Sequence, residues 1–182
     1  MNCPSIIEKR AEFAAGLECI KPDIVCGTES WLKGVRPTWR DPTGDQIKSC
    51  EIIPDNYTAY RNDRGTLGGG IFVLVENGLV SVEHPEFVTD CELVWAKIKT
   101  QGDKDLYVGS FYMPHRNHKD LAELEKSLAH LSSNNKNQKH VILAGDFNCP
   151  DIDWETSAVH ANCTDRSIHQ KLIDIPYHMK QT

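Results

Sequence analysis

The sequence predicts a mixed α/β fold in which β-sheets carry helices on their outer faces. Three observations support this prediction. Short apolar runs bounded by turn residues recur along the chain, helical periodicity is confined to three segments, and several of the apolar runs follow one another at hairpin spacing. The resulting order is helix, strand, a meander of strands, helix and strand, and a further helix ends the pattern. Mixed sheets covered by helices fit this order best.

Each predicted helix has a recognisable pattern. "SIIE" at 5–8 has the spelling of a capping box, so we expect the first helix to begin there and to end at Lys21-Pro22. Leucines at helical spacing between 121 and 131 predict an amphipathic second helix. Isoleucine and leucine at 168, 172 and 175 predict a third, which we expect Pro176 to close.

The predicted strands are short and apolar. They cover "DIVCGT" (23–28), "YTAYR" (57–61), "IFVLV" (71–75), "LVWAKIK" (93–99), "LYVGSF" (106–111) and "VILA" (141–144). The first and last of these read as buried. Glu76-Asn77-Gly78 predicts a hairpin that joins 71–75 to a strand at 79–82. The Pro-, Gly- and Lys-rich stretch 33–56 reads as a long loop.

Composition limits the possible classes of protein. The chain has 182 residues, 40% of them hydrophobic, and a net charge of −6, which suits one globular domain without a general basic footprint for nucleic acid. Neither a membrane-spanning run nor a secretory signal is visible. The seven cysteines never have C-x-x-C spacing, which argues against a disulfide framework and against a structural zinc site. We therefore expect an intracellular protein, and leave nucleus and cytoplasm open.

Polar side chains follow three of the predicted strands. Glu29 follows "DIVCGT", Tyr112 follows "LYVGSF", and Asp146 with Asn148 follows "VILAG". Each has an ordinary explanation alone: a surface carboxylate, a half-buried aromatic ring, or a turn-forming Asp-x-Asn. Packing does not require all of them at successive strand ends, so together they indicate a site. Carboxylates gathered there need solvent, a partner or a cation.

Other motifs carry weaker signals. "DFNCPDIDWE" opens like an EF-hand loop but has Pro150, Asp151 and Ser157 where that loop needs an oxygen ligand, Gly and Glu. The glycines 68–70 lack the G-K-[ST] ending of a phosphate loop and precede a strand. His115 and His118 read better as part of a polar loop than as a metal site. The basic residues beside these loops are either solvated or bind phosphates: Arg61, Arg64, Arg116 and Lys119.

Several motifs together resemble the endonuclease/exonuclease/phosphatase superfamily. "KPDIVCGTESWL" is similar to the superfamily's strand that ends in a metal-binding Glu, and "GTLGGGIFVLV" to its Gly-rich segment. "ELVWAKI" and "LYVGSFYMP" are similar to its middle strands, and "VILAGDFN" to its Gly-Asp-x-Asn motif. The resemblance is greatest to the endonuclease domain of non-LTR retrotransposon polyproteins, where a reverse transcriptase follows.

The resemblance implies a fold and a mechanism. The fold is a four-layered α+β sandwich, with two packed mixed β-sheets between helices. The implied activity is phosphodiester hydrolysis of DNA with Mg²⁺, or Mn²⁺, as cofactor and without a membrane partner. Glu29 and Asn2 would bind the metal, Asp146 would act on the attacking water, and Tyr112 and Asn148 would contact the phosphate. Arg61 and Arg116 are the expected substrate contacts.

The sequence departs from the superfamily pattern at its end. It contains no Ser-Asp-His motif, so we expect a domain over 1–175 that lacks its last strands, a divergent tail at 176–182 and poor cleavage of DNA. Two alternatives stay open: a non-catalytic remnant of such a domain, and a phosphatase or phospholipid phosphodiesterase of the same fold.

Overall fold

The protein is described by a computed structural model that covers residues 2, 5–37, 46–64, 68–100, 104–133 and 139–178, with side chains to Ile175 in the last range. The helices are α1 Arg10–Ile20, α2 Ser49–Ile52, α3 His118–Ser133 and α4 Arg166–His178, with a short 3₁₀ helix at Pro85–Phe87. The strands are β1 Ile24–Thr28, β2 Tyr57–Asn62, β3 Ile71–Glu76, β4 Ser81–Glu83, β5 Glu92–Lys99, β6 Asp105–Tyr112, β7 Lys139–Asp146, β8 Ile152–Asp153 and β9 Ala158–Val159. The predicted mixed α/β fold is confirmed.

Two sheets form the centre of the molecule. The first has the antiparallel order β1-β3-β2, and Asn2 adds a parallel bridge to Thr28 on the outer edge of β1. The second has the order β4-β5-β6-β7, in which β6 and β7 run parallel. A small third sheet pairs β8 with β9.

Successive side chains of a strand point to opposite faces of its sheet, so each strand contributes side chains to two layers. In β3, Ile71 and Val73 face the second sheet, while Phe72 and Leu74 face α1. In β5, the indole of Trp95 packs under α3 on the opposite face of the second sheet. The order of layers is therefore helix, sheet, sheet, helix, as the resemblance implied.

The predicted hairpin after β3 is wrong. β3 is the central strand of its sheet and has β1 on one edge and β2 on the other, so it has no free edge for the next segment. After a turn in which the Leu79 N–H donates to the Glu76 carbonyl (2.9 Å), the chain crosses to the second sheet. There β4 pairs with β5.

Two helix boundaries and one additional short helix also differ from the sequence prediction. Ser5 has φ +55° and forms a turn, so α1 begins at Arg10 and not at the expected capping box. The predicted loop 33–56 contains the one-turn helix α2. α4 continues past Pro176 to His178, so the proline lies within the last turn of the helix and does not close it.

The strand β7 is less buried than its sequence suggests. It pairs only with β6 among the described strands, and Ile142 on it is 50% exposed.

No helix in the described ranges is both long and apolar enough to cross a bilayer.

Candidate active site

The strands β1 and β6 end at the same edge of the sandwich. The Ser110 hydroxyl of β6 donates to the Gly27 carbonyl of β1 (3.1 Å), which fixes the two sheets against each other near that edge. Two residues further along the chain in each case lie Glu29, directly after β1, and Tyr112, the last residue of β6. The packing of the sheets therefore brings two residues together that are 83 positions apart in the sequence.

Glu29 is held by donors from two segments. Its Oε2 accepts hydrogen bonds from the Trp31 indole (2.8 Å) and from the Gly69 backbone N–H (2.9 Å). Gly69 has φ +70° within a run of three glycines that all have positive φ, a conformation that side chains rarely adopt. The glycine run is thus a backbone cradle for carboxylates rather than a phosphate loop.

The surroundings of Glu29 favour its charged form. Partial burial raises the pKa of this carboxyl, but hydrogen bonds from Tyr112, Gly69 and Trp31 and the positive charge of Arg64 outweigh burial and bring the pKa below its ordinary value of 4.5. In the same contact, burial and the bond to Glu29 raise the pKa of the Tyr112 hydroxyl. Glu29 is therefore an anion at neutral pH, and Tyr112 keeps its proton.

Glu92 is a second carboxylate that is held by the glycine run. Glu92 accepts from the Gly70 N–H (2.7 Å) and from the Arg64 guanidinium (2.6 Å), and the Arg64 guanidinium lies 5.5 Å from the centre of the Tyr112 ring. Burial raises the pKa of Glu92, against the effects of these two donors. Arg64 is thus fixed between Glu92 and Tyr112, and its charge acts on Glu29 as well.

Asp146 lies beside Tyr112 on the neighbouring parallel strand. The two residues are partners in register at the ends of β6 and β7. Gly145, just before, has φ +150°, and a Cβ there would lie 1.8 Å from the Phe111 carbonyl oxygen. Only glycine permits the close strand approach that sets Asp146 next to Tyr112.

Asn148 is oriented by the same two strands. Its backbone N–H donates to Asp146 Oδ1 (3.0 Å), and its side-chain amide donates to the Met113 carbonyl (2.8 Å). Its φ of +49° belongs to the left-handed region, which asparagine tolerates better than most residues. Four residues predicted from the sequence therefore form one array: Tyr112 faces Glu29 and is paired in register with Asp146, which accepts a hydrogen bond from the Asn148 N–H.

The donor set at this edge suits a hard divalent cation. Asn2 is exposed and lies beside Thr28, the residue before Glu29. The side chains of Glu29, Asp146 and Asn148 offer carboxylate and amide oxygens, and Glu29 is ionised without a counter-ion in direct contact in the described hydrogen bonds. Mg²⁺ and Mn²⁺ prefer such oxygen ligands.

The two predicted substrate contacts lie in different places. Arg116 lines an open cleft of about 410 Å³ together with Asn148, and pairs with Asp165 (3.3 Å). Arg61 is only 1% exposed. Its guanidinium is occupied by Asp63 (2.7 Å), the Ile47 carbonyl and Ser49. The structure thus places Arg116 at the cleft and Arg61 in the protein interior, away from where we expected it to contact phosphate.

A larger cleft of about 690 Å³ adjoins the first and shares Pro114 and His115 with it. Arg36 and Arg64 line this cleft, together with Glu92 and Asp120. Sequence reasoning missed Glu92, Trp31 and the role of the glycine run. Glu92 is the first residue of β5 and is paired in register with Tyr112, a relation that only the structure shows.

Comparisons with known proteins agree with this geometry. A family model described as "Endonuclease-reverse transcriptase" matches residues 106–176, which include Tyr112, Asp146 and Asn148. A search of curated protein sequences gives no significant match.

Solved structures extend the likeness over almost the whole chain. An AP endonuclease from Archaeoglobus fulgidus has a TM-score of 0.61 and 18% identity over 96% of this chain and 68% of its own. A 3′ phosphatase from Neisseria, solved with a product DNA hairpin, has a TM-score of 0.60 and 15% identity over 96% and 68%.

The endonuclease domain of TRAS1, a telomere-specific non-LTR retrotransposon, has a TM-score of 0.56 and 12% identity, and the likeness covers 93% of this chain and 64% of that domain. This chain therefore spans about two thirds of the length of the proteins it is similar to. The predicted resemblance to the endonuclease/exonuclease/phosphatase superfamily is confirmed, and the chain shares the fold of these solved structures.

Proposed function

We propose that this protein is a divalent-metal-dependent phosphodiesterase that acts on DNA, and that residues 1–175 are an endonuclease-like domain derived from a retroelement. The observation that carries the proposal is the array of Glu29, Tyr112, Asp146 and Asn148 at the mouth of the sandwich. Tyr112 interacts with Glu29 and is paired in register with Asp146, and Asp146 accepts a hydrogen bond from the Asn148 N–H.

Glu29, with Asn2 beside it, would hold Mg²⁺ or Mn²⁺. When bound there, such an ion polarises the phosphoryl oxygens and offsets the negative charge that develops during hydrolysis. The chain prepares the site by keeping Glu29 ionised through Gly69, Trp31 and Arg64. Arg64 is kept in place by its ion pair with Glu92.

Asp146 would orient the attacking water and accept its proton. The adjacent Asn148 amide has two hydrogens, of which one is used by the Met113 carbonyl, so the other is available to a phosphate oxygen. The Tyr112 hydroxyl keeps its proton, because burial and the neighbouring Glu29 carboxylate raise its pKa. It would donate this hydrogen to a phosphate oxygen and stabilise the charge that grows there.

Two observations support DNA as the substrate. Arginines line both clefts beside the array, Arg36 and Arg64 in one and Arg116 in the other, although the chain as a whole carries a charge of −6. The similar Neisseria phosphatase was solved with a DNA hairpin. The retroelement origin is supported by the "Endonuclease-reverse transcriptase" match and by the likeness to the TRAS1 domain. A reverse transcriptase domain in the same polyprotein is the partner that this origin implies.

The proposal is tested by the nicking of supercoiled plasmid with Mg²⁺ and with a chelator. We expect nicking that depends on Mg²⁺ and stops when the chelator is present. Asp146→Asn should abolish the activity. Asp55→Asn is the matched control, since Asp55 is an exposed residue next to the far end of β2.

Three outcomes would contradict the proposal in different ways. Nicking by Asp146→Asn at the wild-type rate would remove Asp146 from the mechanism. Binding of Mg²⁺ and DNA without any nicking would identify a non-catalytic domain. Release of phosphate from a phosphoinositide, without nicking, would identify a lipid phosphatase.

A further inference from the structure

A second group of possible ligands lies beyond the Asp146 array. Asp151 follows β7, Cys163 follows β9 and His169 lies in the first turn of α4. One ligand atom from each of these three residues lies within 4.8 Å of the others. The His169 Nδ1 is 3.3 Å from the Cys163 Sγ, and its Nε2 is 3.7 Å from the Asp151 Oδ2. Three separate segments of the chain thus contribute one side chain each.

His169 carries the clearest indication of a missing partner. Its side chain is fully buried, with 0% exposure, and its Nε2 has no hydrogen-bond partner in the described structure. Its Nδ1 lies 2.9 Å from the Asp165 carbonyl, the arrangement in which Nδ1 carries the hydrogen and Nε2 has a free lone pair. Metal-binding histidines are commonly oriented by such a bond from the other ring nitrogen. A buried, unpaired imidazole nitrogen is costly unless something binds it.

The spacing of the three ligand atoms suits a small tetrahedral cation. Zinc bonds of about 2.3 Å to sulfur and about 2.0–2.2 Å to nitrogen or oxygen place neighbouring ligand atoms roughly 3.4–3.6 Å apart. The 3.7 Å between His169 Nε2 and Asp151 Oδ2 is close to this value, whereas the 3.3 Å contact of the Cys163 sulfur is with Nδ1. A rotation of the Cys163 side chain would bring its sulfur towards Nε2.

We propose that Asp151, Cys163 and His169 bind a zinc ion, with a water molecule in the fourth position. The mixed sulfur, nitrogen and oxygen ligands favour Zn²⁺ over Mg²⁺, which takes oxygen ligands almost exclusively. On binding, the S–H bond of Cys163 breaks, a Zn–S bond forms and the proton is released to solvent. Zinc at this place is independent of the magnesium site at Glu29.

The same three residues could instead suggest a cysteine nucleophile with a His and an Asp. That reading requires a thiolate with a lowered pKa. Burial and the neighbouring carboxylates of Asp151 and Asp165 have the opposite effect and raise the pKa of Cys163. His169 is also closed off from solvent, so it could not exchange a proton with a substrate. The arrangement is therefore better suited to a bound cation.

The zinc ion would join the segment after β7 to α4. Arg116, which lines the cleft beside Asn148, pairs with Asp165 and lies 4.0 Å from the Oδ2 of Asp151. A zinc ion bound to Asp151 would weaken the 4.0 Å contact between Asp151 and Arg116 and leave Arg116 paired with Asp165. The ion would thus fix the segment that leads away from Asn148 without entering the cleft.

The test uses the full chain freed of metal, titrated with Zn²⁺ against a chromophoric chelator, and with Co²⁺ followed by absorption. We expect one Zn²⁺ per chain, and a thiolate-to-cobalt charge-transfer band with the d–d intensity of a tetrahedral site. Cys163→Ser should lower the Zn²⁺ affinity by at least about 100-fold, the upper end of what loss of a supporting partner costs. It should also remove the charge-transfer band.

Cys19→Ser is the matched control, because Cys19 is an exposed free cysteine on α1. It should bind Zn²⁺ and Co²⁺ as the wild type does. Asp151→Asn provides a second variant that leaves the buried imidazole in place, and its affinity should fall as well. Absence of stoichiometric Zn²⁺ from the wild type, or equal affinity in Cys163→Ser and wild type, would overturn the proposal. Neither result would bear on Mg²⁺ binding at Glu29.

Discussion

Tyr112 and Asp146 are partners in register at the ends of the parallel strands β6 and β7. The Tyr112 hydroxyl also faces Glu29, which directly follows β1 of the other sheet, closely enough to lower the pKa of that carboxyl. One tyrosine therefore connects the carboxylate that would hold a cation with the carboxylate that would act on water. The geometry of the site depends on the packing of the two sheets. A change that shifts one sheet relative to the other would separate these residues.

Glu29→Gln should abolish most Mg²⁺ binding, because it removes the ionised oxygen that the Gly69 and Trp31 donors hold in place. Isothermal titration calorimetry with Mg²⁺ measures this directly. Glu18→Gln is the control, since Glu18 is an exposed residue of α1 with a 3.7 Å contact to Lys21. Equal heats from Glu29→Gln and wild type would exclude Glu29 as a ligand.

Tyr112→Phe should slow plasmid nicking by roughly 100- to 1,000-fold while DNA affinity stays near that of the wild type, because the hydroxyl acts on charge that grows during the reaction. The comparison needs single-turnover rates and a DNA-binding isotherm for both proteins. A loss confined to DNA affinity would show that Tyr112 contributes to binding alone.

Glu29 should make stability depend on pH in the acid range. Its pKa in the folded protein lies below the ordinary 4.5, so the unfolded chain binds the proton more readily. The stabilisation is complete above about pH 4.5 and is lost as the pH falls through the folded pKa. Urea unfolding of wild type and Glu29→Gln should therefore show a difference that shrinks below pH 4.5. A difference that is constant from pH 7 to pH 3 would contradict this.

Arg61→Ala should lower the free energy of unfolding by about 3–5 kcal/mol, because it leaves the buried Asp63 carboxylate without its partner. Chemical denaturation gives the value. Lys126→Ala, which removes an exposed ion pair with Glu123, should leave the midpoint nearly unchanged. If Arg61→Ala folds with wild-type stability and loses only DNA affinity, Arg61 is a substrate contact after all.

Gly145→Ala should cost stability and displace Asp146. The added Cβ would meet the Phe111 carbonyl oxygen at 1.8 Å, and a φ of +150° strains any other residue by about 1–3 kcal/mol. Gly16→Ala within α1 meets nothing within 4 Å and should stabilise by about 0.5–1 kcal/mol. Thermal unfolding of the two variants gives opposite shifts under this account.

Much of the fold could be predicted from the sequence because apolar periodicity marks buried strands directly. All six strands predicted as apolar runs are present, and Glu29, Tyr112, Asp146 and Asn148 lie at the ends where they were expected. The pairing of β4 could not be predicted, since a local turn signal after β3 does not show that both edges of β3 are taken. Arg61 looked like its neighbour Arg64 in the sequence. Only burial separates the interior residue from the one beside the site.

The group of Asp151, Cys163 and His169 could not be predicted from the sequence for a related reason. Its spacing follows no metal-binding motif, and the group forms only when α4 packs against the segment after β7. The roles of Glu92 and Trp31 were not predicted, because nothing in their local sequence shows that these side chains lie beside the glycine run.

The most direct test of the central claim is paramagnetic broadening by substoichiometric Mn²⁺ in the amide spectrum of the isotope-labelled protein. The account predicts that the resonances of Gly69, Tyr112 and Asp146 broaden together at the lowest Mn²⁺ ratios, and that Glu29→Gln removes the effect. Broadening that is centred elsewhere, or that spares Tyr112 and Asp146 while Gly69 broadens, would contradict a single divalent-cation site shared by the two sheets.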